Sequence, residues 1–203
     1  MSGTRLYEVY FDSADPGQWV LGHPVDASGR KLEEYMLWEE SLEAVGELFV
    51  PIVEPGHPLD VSVGPYPLVV TERVGRLLGA LAPEDLQRLP ARVESMQGRY
   101  EVVKILTTID CLDRERTRAQ VLVPEDPQPV KTGTLSSLAP LLESRPDLNP
   151  LVMGDNVRLD AAGIEGARVF WVEGRGTWPV VTEEVKVALD EEGVSGVVYR
   201  LAS

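Results

Sequence analysis

Trp178-Pro179-Val180-Val181-Thr182-Glu183-Glu184-Val185-Lys186-Val187-Ala188-Leu189-Asp190-Glu191-Glu192-Gly193-Val194-Ser195-Gly196-Val197-Val198-Tyr199-Arg200-Leu201 reads as one compact α/β unit. The β-branched pair Val180-Val181 enters from a proline and stops at a hydroxyl residue. Thr182 has the chemistry of an N-cap, and Glu183 and Glu184 complement the positive helix end. Val185 and Leu189, four apart, form a buried stripe with Ala188, and Gly193 supplies the left-handed residue that commonly ends a helix. Val197 to Leu201 is β-branched and aromatic, which predicts a closing strand.

The same phrase stands earlier. Leu68-Val69-Val70-Thr71-Glu72-Arg73-Val74, followed by Leu77-Leu78, matches Pro179-Val180-Val181-Thr182-Glu183-Glu184-Val185, followed by Ala188-Leu189. One match this short is what the common grammar of a strand feeding a capped helix produces. It falls well below the self-similarity of repeat architectures, so a duplication is the second reading.

The 203 residues suffice for one domain, or two small ones, with a sizeable core. An apolar content of 43% and a charged content of 26% are ordinary for a globular chain. The charge balance is not: 33 acids against 19 bases give −14, and an isoelectric point near 4.6. Such a field repels nucleic-acid phosphates and anionic membranes and attracts basic partners; the simpler reading is that it maintains solubility. The single cysteine, Cys111, excludes an internal disulfide framework and fits a reducing compartment. No run approaches the ~18 apolar residues of a membrane span, and Met1 to Phe11 lacks signal-peptide character, so the expected location is cytoplasmic.

In chain order, Leu6 to Phe11 reads as a strand and Ser13 to Arg30 as turns. Tyr35, Trp38, Leu42, Val45 and Phe49 recur at helical spacing between Lys31 and Phe49, giving way to a strand-like run from Leu48 to Val53. Opposite that stripe lie Glu33, Glu39, Glu40, Glu43 and Glu47, with almost no compensating base. Pro83-Glu84-Asp85-Leu86 predicts a short helical turn. Ala91 to Met96 and Tyr100 to Ile109 read as strands joined by a hairpin at Gln97-Gly98-Arg99. Further strands are expected at Ala119 to Val123, Val157 to Leu159 and Ala167 to Val172, with Gly163 and Gly166 bracketing a turn. Residues 124–150, rich in proline, read as a loop or insertion within one domain (1–203), with a short helix at Thr134 to Glu143.

Catalytic signatures are sparse: there is no phosphate-cradling glycine loop, nucleophile elbow, zinc-type helix motif or Cys-x-x-Cys. His23 and His57 each sit in Gly-His-Pro, a turn context, and Cys111 lies in an apolar run that predicts inert burial. Asp110, Asp113 and Glu115 are the best candidate carboxylate or metal centre. Arg114 and Arg116 are interleaved with them, so structural ion pairing is the favoured reading.

Tyr100-Glu101-Val102-Val103 through Asp110-Cys111-Leu112-Asp113-Arg114-Glu115-Arg116-Thr117, then Ile164-Glu165-Gly166-Ala167-Arg168-Val169-Phe170 and the closing unit, resemble one bacterial family. It is the immunity-protein family numbered eleven in the Imm series of polymorphic toxin systems, formerly a domain of unknown function. Gly22-His23-Pro24-Val25-Asp26 and Pro55-Gly56-His57-Pro58-Leu59-Asp60 also fit its pattern, so the resemblance spans nearly the whole chain. The chain departs from it at Phe170-Trp171, where the family often has an aromatic-arginine pair, and in the Pro-rich insertion. The resemblance implies a non-catalytic protein, without cofactor or metal, that neutralises a cognate toxin. It supplies no catalytic residues.

The expected fold is α+β (mixed α/β), with a largely antiparallel sheet and a few short helices. The expected partner is a basic toxin, not nucleic acid or membrane, with Glu39, Glu40, Glu43 and Glu47 as toxin-binding residues. The alternatives are an enzyme centred on Asp110 and Asp113, and a self-associating regulatory adaptor. Oligomeric state is left open by the sequence.

Overall fold

The computed structural model describes residues 4–12, 17–32, 46–62, 68–123, 126–145, 148–152, 157–173 and 175–202. Strands β1 (Leu6–Phe11), β2 (Val20–Leu21), β3 (Leu48–Val50), β4 (Ile52–Glu54), β5 (Val61–Ser62) and β6 (Leu68–Thr71) precede helix α1 (Glu72–Leu81). Then come β7 (Leu86–Val93), β8 (Tyr100–Ile105), β9 (Thr108–Ile109), β10 (Arg118–Val123), β11 (Asp126–Thr134) and helix α2 (Leu135–Ser144). The chain closes with β12 (Asn149–Leu151), β13 (Val169–Val172), β14 (Arg175–Thr182), helix α3 (Glu183–Glu191) and β15 (Val197–Leu201). The fold is α+β, with mostly antiparallel pairing. Among the described residues no helix is long and apolar enough to cross a membrane.

Two five-stranded sheets, ordered β3-β7-β8-β6-β5 and β15-β1-β14-β13-β9, carry the architecture. One is built on a hairpin, helix and strand (β5, β6, α1, β7) with β8 inserted between β6 and β7. The other repeats it with β13, β14, α3 and β15, and β1 inserted between β14 and β15. The registers agree. Tyr100 lies opposite Thr71, and Leu6 lies opposite Thr182. Leu86 pairs with Ile105, and Val197 pairs with Phe11. The short sequence match therefore marks a structural repeat, with one difference: the inserted strand follows the first copy in sequence but precedes the second by most of the chain.

Matched positions fill one shared core. Val70, Val74 and Leu78 from the first half meet Val181, Val185 and Leu189 from the second, with Val61, Val103, Val169 and Trp171. Each helix lays its i, i+4 valine-leucine stripe on this core, as the periodicity predicts.

The halves also grip each other reciprocally. The turn after α1 offers the Asp85 carboxylate, whose Oδ2 accepts from the amides of Arg168 (2.8 Å) and Val169 (3.1 Å). The turn after α3 offers Ser195, which accepts from the amides of Asp60 at its hydroxyl (3.0 Å) and Val61 at its carbonyl (3.1 Å). Arg73 pairs with Asp60 at 3.0 Å and donates to the Glu192 carbonyl at the end of α3. Arg168 pairs with Glu184 at 3.4 Å and donates to the Leu81 carbonyl at the end of α1. The ion pair is thus repeated with its charges exchanged between helix and strand. Gly196, at φ +92, must be glycine here, because a Cβ would lie 2.0 Å from the Val61 carbonyl oxygen.

The charge held between helix and sheet also differs in origin. In the first half Arg88 reaches from β7 under α1 to the Gly75 carbonyl (2.7 Å) and faces Glu101 at 3.5 Å. Gly75 and Gly79 make the room: a Cβ at either would collide with Glu101 or Arg88. In the second half Lys186 comes down from α3, over the rings of Tyr7 and Tyr199 (5.5 and 5.1 Å), and pairs with Asp190.

Several expectations are corrected. Thr182 occupies the N-cap position, but its hydroxyl makes no capping bond and is buried without a partner. Thr71 likewise does not cap α1; its hydroxyl is turned to Asp60. Tyr100 to Ile109 is not one strand. The Leu106 amide turns to Asp85 and the Thr107 carbonyl accepts from Trp171, which carries the chain from one sheet into the other. The hairpin strand runs Leu86–Val93, earlier than read. Val157 to Leu159 is not a strand: Leu159 forms an isolated bridge with Leu112 and donates its amide to the Ala202 carbonyl. The Pro-rich stretch is built structure: β11 and β12 flank β10, and α2 packs Leu138 against Ala119, Val121 and Leu148. Pro127 and Pro129 are tolerated because β11 is an edge strand with register shifts beside it. Of the Lys31 to Phe49 helix, 33–45 lie outside the described residues; Lys31 bridges to Val25 and Phe49 belongs to β3.

Truncating Leu189 to Ala, or its counterpart Leu78, is expected to cost about 2–5 kcal/mol, as buried leucines do. Thermal or denaturant melts check this, and a Leu189→Ala melt matching wild type would remove α3 from the core. Two carboxylates are expected to show opposite pH signatures. Burial alone would raise Asp60, but hydrogen bonds from Ser195, Arg73 and Thr71 hold it below the usual carboxylate range. Its stabilisation is therefore present above the unfolded pKa, near 4, and lost as pH falls through the lower folded value, so Asp60→Asn should destabilise at pH 7. Burial pushes Glu101 up despite Arg88, so its ionisation opposes folding once pH exceeds the carboxylate range. Glu101→Gln should then melt higher than wild type at pH 7, with the gain shrinking in acid.

Candidate functional site

Where the two halves meet, the end of α1, one side of α3 along its length and the 163–168 turn line a groove. It consists of two hollows of about 860 and 830 Å³ that share Leu81, Ile164, Gly166, Ala167 and Arg168. The fold builds it directly. Asp85 holds Arg168 and Val169 by their amides, with Thr107 donating to its other oxygen at 2.8 Å, so the floor is fixed to both halves. Glu165 (φ +47) and Gly166 (φ +90) turn the chain sharply at the rim.

Apolar surface lies at the bottom and on one wall, with Leu81, Ile164, Ala167, Ala188 and the exposed Val187. Acids surround it: Glu84, Asp110, Glu165, Glu183, Glu184 and Glu191. Glu183 is paired with Arg5 (3.1 Å) and Glu184 with Arg168, but no cation among the described residues pairs with Glu84, Glu165 or Glu191. Thr182 also borders the groove, but its hydroxyl is turned inward, fully buried and without a hydrogen-bond partner among the described residues. A lining of acids beside apolar side chains suits a basic segment carrying an apolar anchor.

Of the residues expected to bind toxin, Glu39, Glu40 and Glu43 lie outside the described residues. Glu47 is exposed, but it is not an uncompensated charge on a helix face: it sits at a bend before β3 and pairs with Arg92 at 2.9 Å. Arg92 is 45 residues away in sequence and was invisible to a local reading of charge. Asp110 and Asp113 follow the ion-pair reading, with Arg114 at 3.1 Å and Arg116 at 3.6 Å. Asp113 also closes its own turn, accepting from the amides of Glu115 and Arg116. Among the described residues no group of three or more His, Cys, Asp or Glu is placed to hold a metal ion. His57 is held in its turn by Gly17, and its carbonyl accepts from the Trp19 amide. Glu84, Glu165 and Glu191 were passed over because they fall in three separate elements that only the fold unites.

Cys111 is 3% exposed, between Phe170, Leu159 and their neighbours. Burial, with Asp110 and Asp160 adding to it, pushes its thiol up to about 11. No protein-family model matches the chain, and no curated protein matches it. A thiol reagent is expected to label Cys111 only after denaturation; stoichiometric labelling of the native protein within minutes would contradict its inert burial.

Proposed function

We propose that this chain is a non-catalytic immunity-type protein that binds a basic toxin and blocks it, with the acidic groove as the docking site. The observation that carries the reading is the groove itself, lined by apolar side chains and by three acids that no cation among the described residues pairs with. The net charge of −14 extends the same field over the molecule. An inhibitor of this kind must reach its toxin before the toxin reaches its target, and complementary charge speeds encounter more than it deepens affinity. The resemblance to the immunity-protein family supports the same class. Glu39, Glu40, Glu43 and Glu47 remain the second candidate face. The enzymatic alternative is less favoured, because Asp110 and Asp113 are engaged by arginines.

The reading requires a basic toxin domain encoded beside this chain, and the test is association kinetics against that domain at low and high salt. Exposed charges are screened beyond about 8 Å at physiological ionic strength. Steering of this kind is worth about 10-fold or more in on-rate, so the on-rate should fall by that order as salt rises, with dissociation changing less. Reversing Glu84, Glu165 and Glu191 to Lys should reproduce the fall without lowering the melting temperature. A fall produced only by reversing Glu39, Glu40, Glu43 and Glu47 would move the contact to that segment. An on-rate indifferent to salt and to both sets would sink the electrostatic reading and leave the charge as a solubility feature.

A further inference from the structure

The two halves treat their outer edges differently. In the first, β7 is covered at Leu48↔Ala91, Phe49↔Arg92 and Val50↔Val93 by the parallel strand β3. Its uncovered portion contains Pro90, which has no N–H to offer an approaching strand. In the second, the position matching Pro90 is Leu201, since Pro90 lies opposite Glu101 as Leu201 lies opposite Tyr7. Leu201 is 52% exposed and Val198 44% exposed. Beyond Leu201 the Ala202 carbonyl accepts from Leu159, but among the described residues no strand pairs with the outer side of Val197 to Leu201, which end the sheet order β15-β1-β14-β13-β9.

The directions of the amides follow from the ladder. The Ala202 amide donates to Leu6 on β1, so by alternation Val198 and Arg200 also face β1. Val197, Tyr199 and Leu201 therefore aim their amides and carbonyls outward. An edge of this kind, with apolar side chains and no proline, is a template for another strand.

We propose that β15 pairs antiparallel with the β15 of a second copy of this chain, centred on Tyr199. The segment is self-complementary in that register. Tyr199 meets its own mate, and Val197 meets Leu201 on either side of it, so each outward-facing residue exchanges both hydrogen bonds with its partner. On the other face Val198 lies opposite Arg200. That pairing brings no unopposed charge to the seam, because Arg200 is already neutralised by the buried Glu8 (Nε to Oε2 3.0 Å) and lies over the Tyr10 ring. The Val198 side chain then extends the apolar row of Trp178 and Tyr10, whose rings are 4.6 Å apart, along the aliphatic stem of the mate's Arg200.

The test is sedimentation or size exclusion with light scattering across a concentration series. The full chain is expected to dimerise. Leu201→Pro, which copies the first half's device and removes an outward amide while sparing the ladder to β1, should weaken the dimer about tenfold or more. Val198→Lys, an exposed position placing a cation beside the mate's Arg200, should do the same without altering the melt, and serves if the proline variant folds poorly. Two copies at −14 repel, so salt should strengthen this association. That is opposite in sign to the salt effect expected for toxin binding, which separates failure of one reading from failure of the other. A chain that stays monomeric at every concentration, or a dimer untouched by both substitutions, overturns the proposal.

Discussion

The structure depends on a small number of backbone amides that one half of the molecule cannot satisfy for itself. At the entry to β13 two N–H groups point at the carboxylate of Asp85, and at the entry to β5 two point at Ser195. A buried amide left unpaired costs about 1–3 kcal/mol, and Val169 and Val61 are buried residues, so the halves are bound by more than their shared apolar core. The contacts are reciprocal, and they fix angle as well as adhesion: Arg73 and Arg168 each reach across to a carbonyl at the end of the opposite helix. The groove exists because these clasps set the distance between α1 and α3. It follows from the joining of the halves and belongs to neither alone.

Repetition of a backbone plan has left the two halves free to diverge in charge. One keeps an arginine from the strand beneath a glycine-bearing helix; the other keeps a lysine from the helix above two tyrosines. One places Arg on the helix and Asp on the strand entry; the other reverses them. The core stripe tolerates none of this variation, because valine and leucine at those positions are what close the space between sheet and helix.

What the sequence made legible was local and periodic. The strand, helix and strand of the closing unit, the Val185 and Leu189 stripe, the Gly193 stop (φ +62) and the burial of Cys111 all rest on neighbours a few residues away. What it did not show rests on distant partners. Thr182 sits at the right position for a cap, yet its hydroxyl is unmatched in the folded chain, and no local rule anticipates that. Glu47 looked uncompensated until Arg92 arrived from another strand. The groove acids Glu84, Glu165 and Glu191 come from a turn, a bend and a helix end. Proline content misjudged residues 126–151, because an edge strand accepts prolines that a central strand would not.

The placement of β1 has a consequence for how the chain assembles. The first half closes on contacts made within residues 61–105, a short and continuous stretch. The second has a gap between β14 and β15 that only the far N-terminal strand fills, through pairs such as Tyr7 with Leu201. Closing a loop of that length carries an entropic cost before any ladder bond rewards it, and such pairings are slow. During synthesis β1 emerges long before β14 and β15, its strand partners among the described residues, whereas α1 and its strands can already be in place. The early half is then a finished surface, bearing Asp85 and the Val61 amide, against which the late half and its borrowed strand condense.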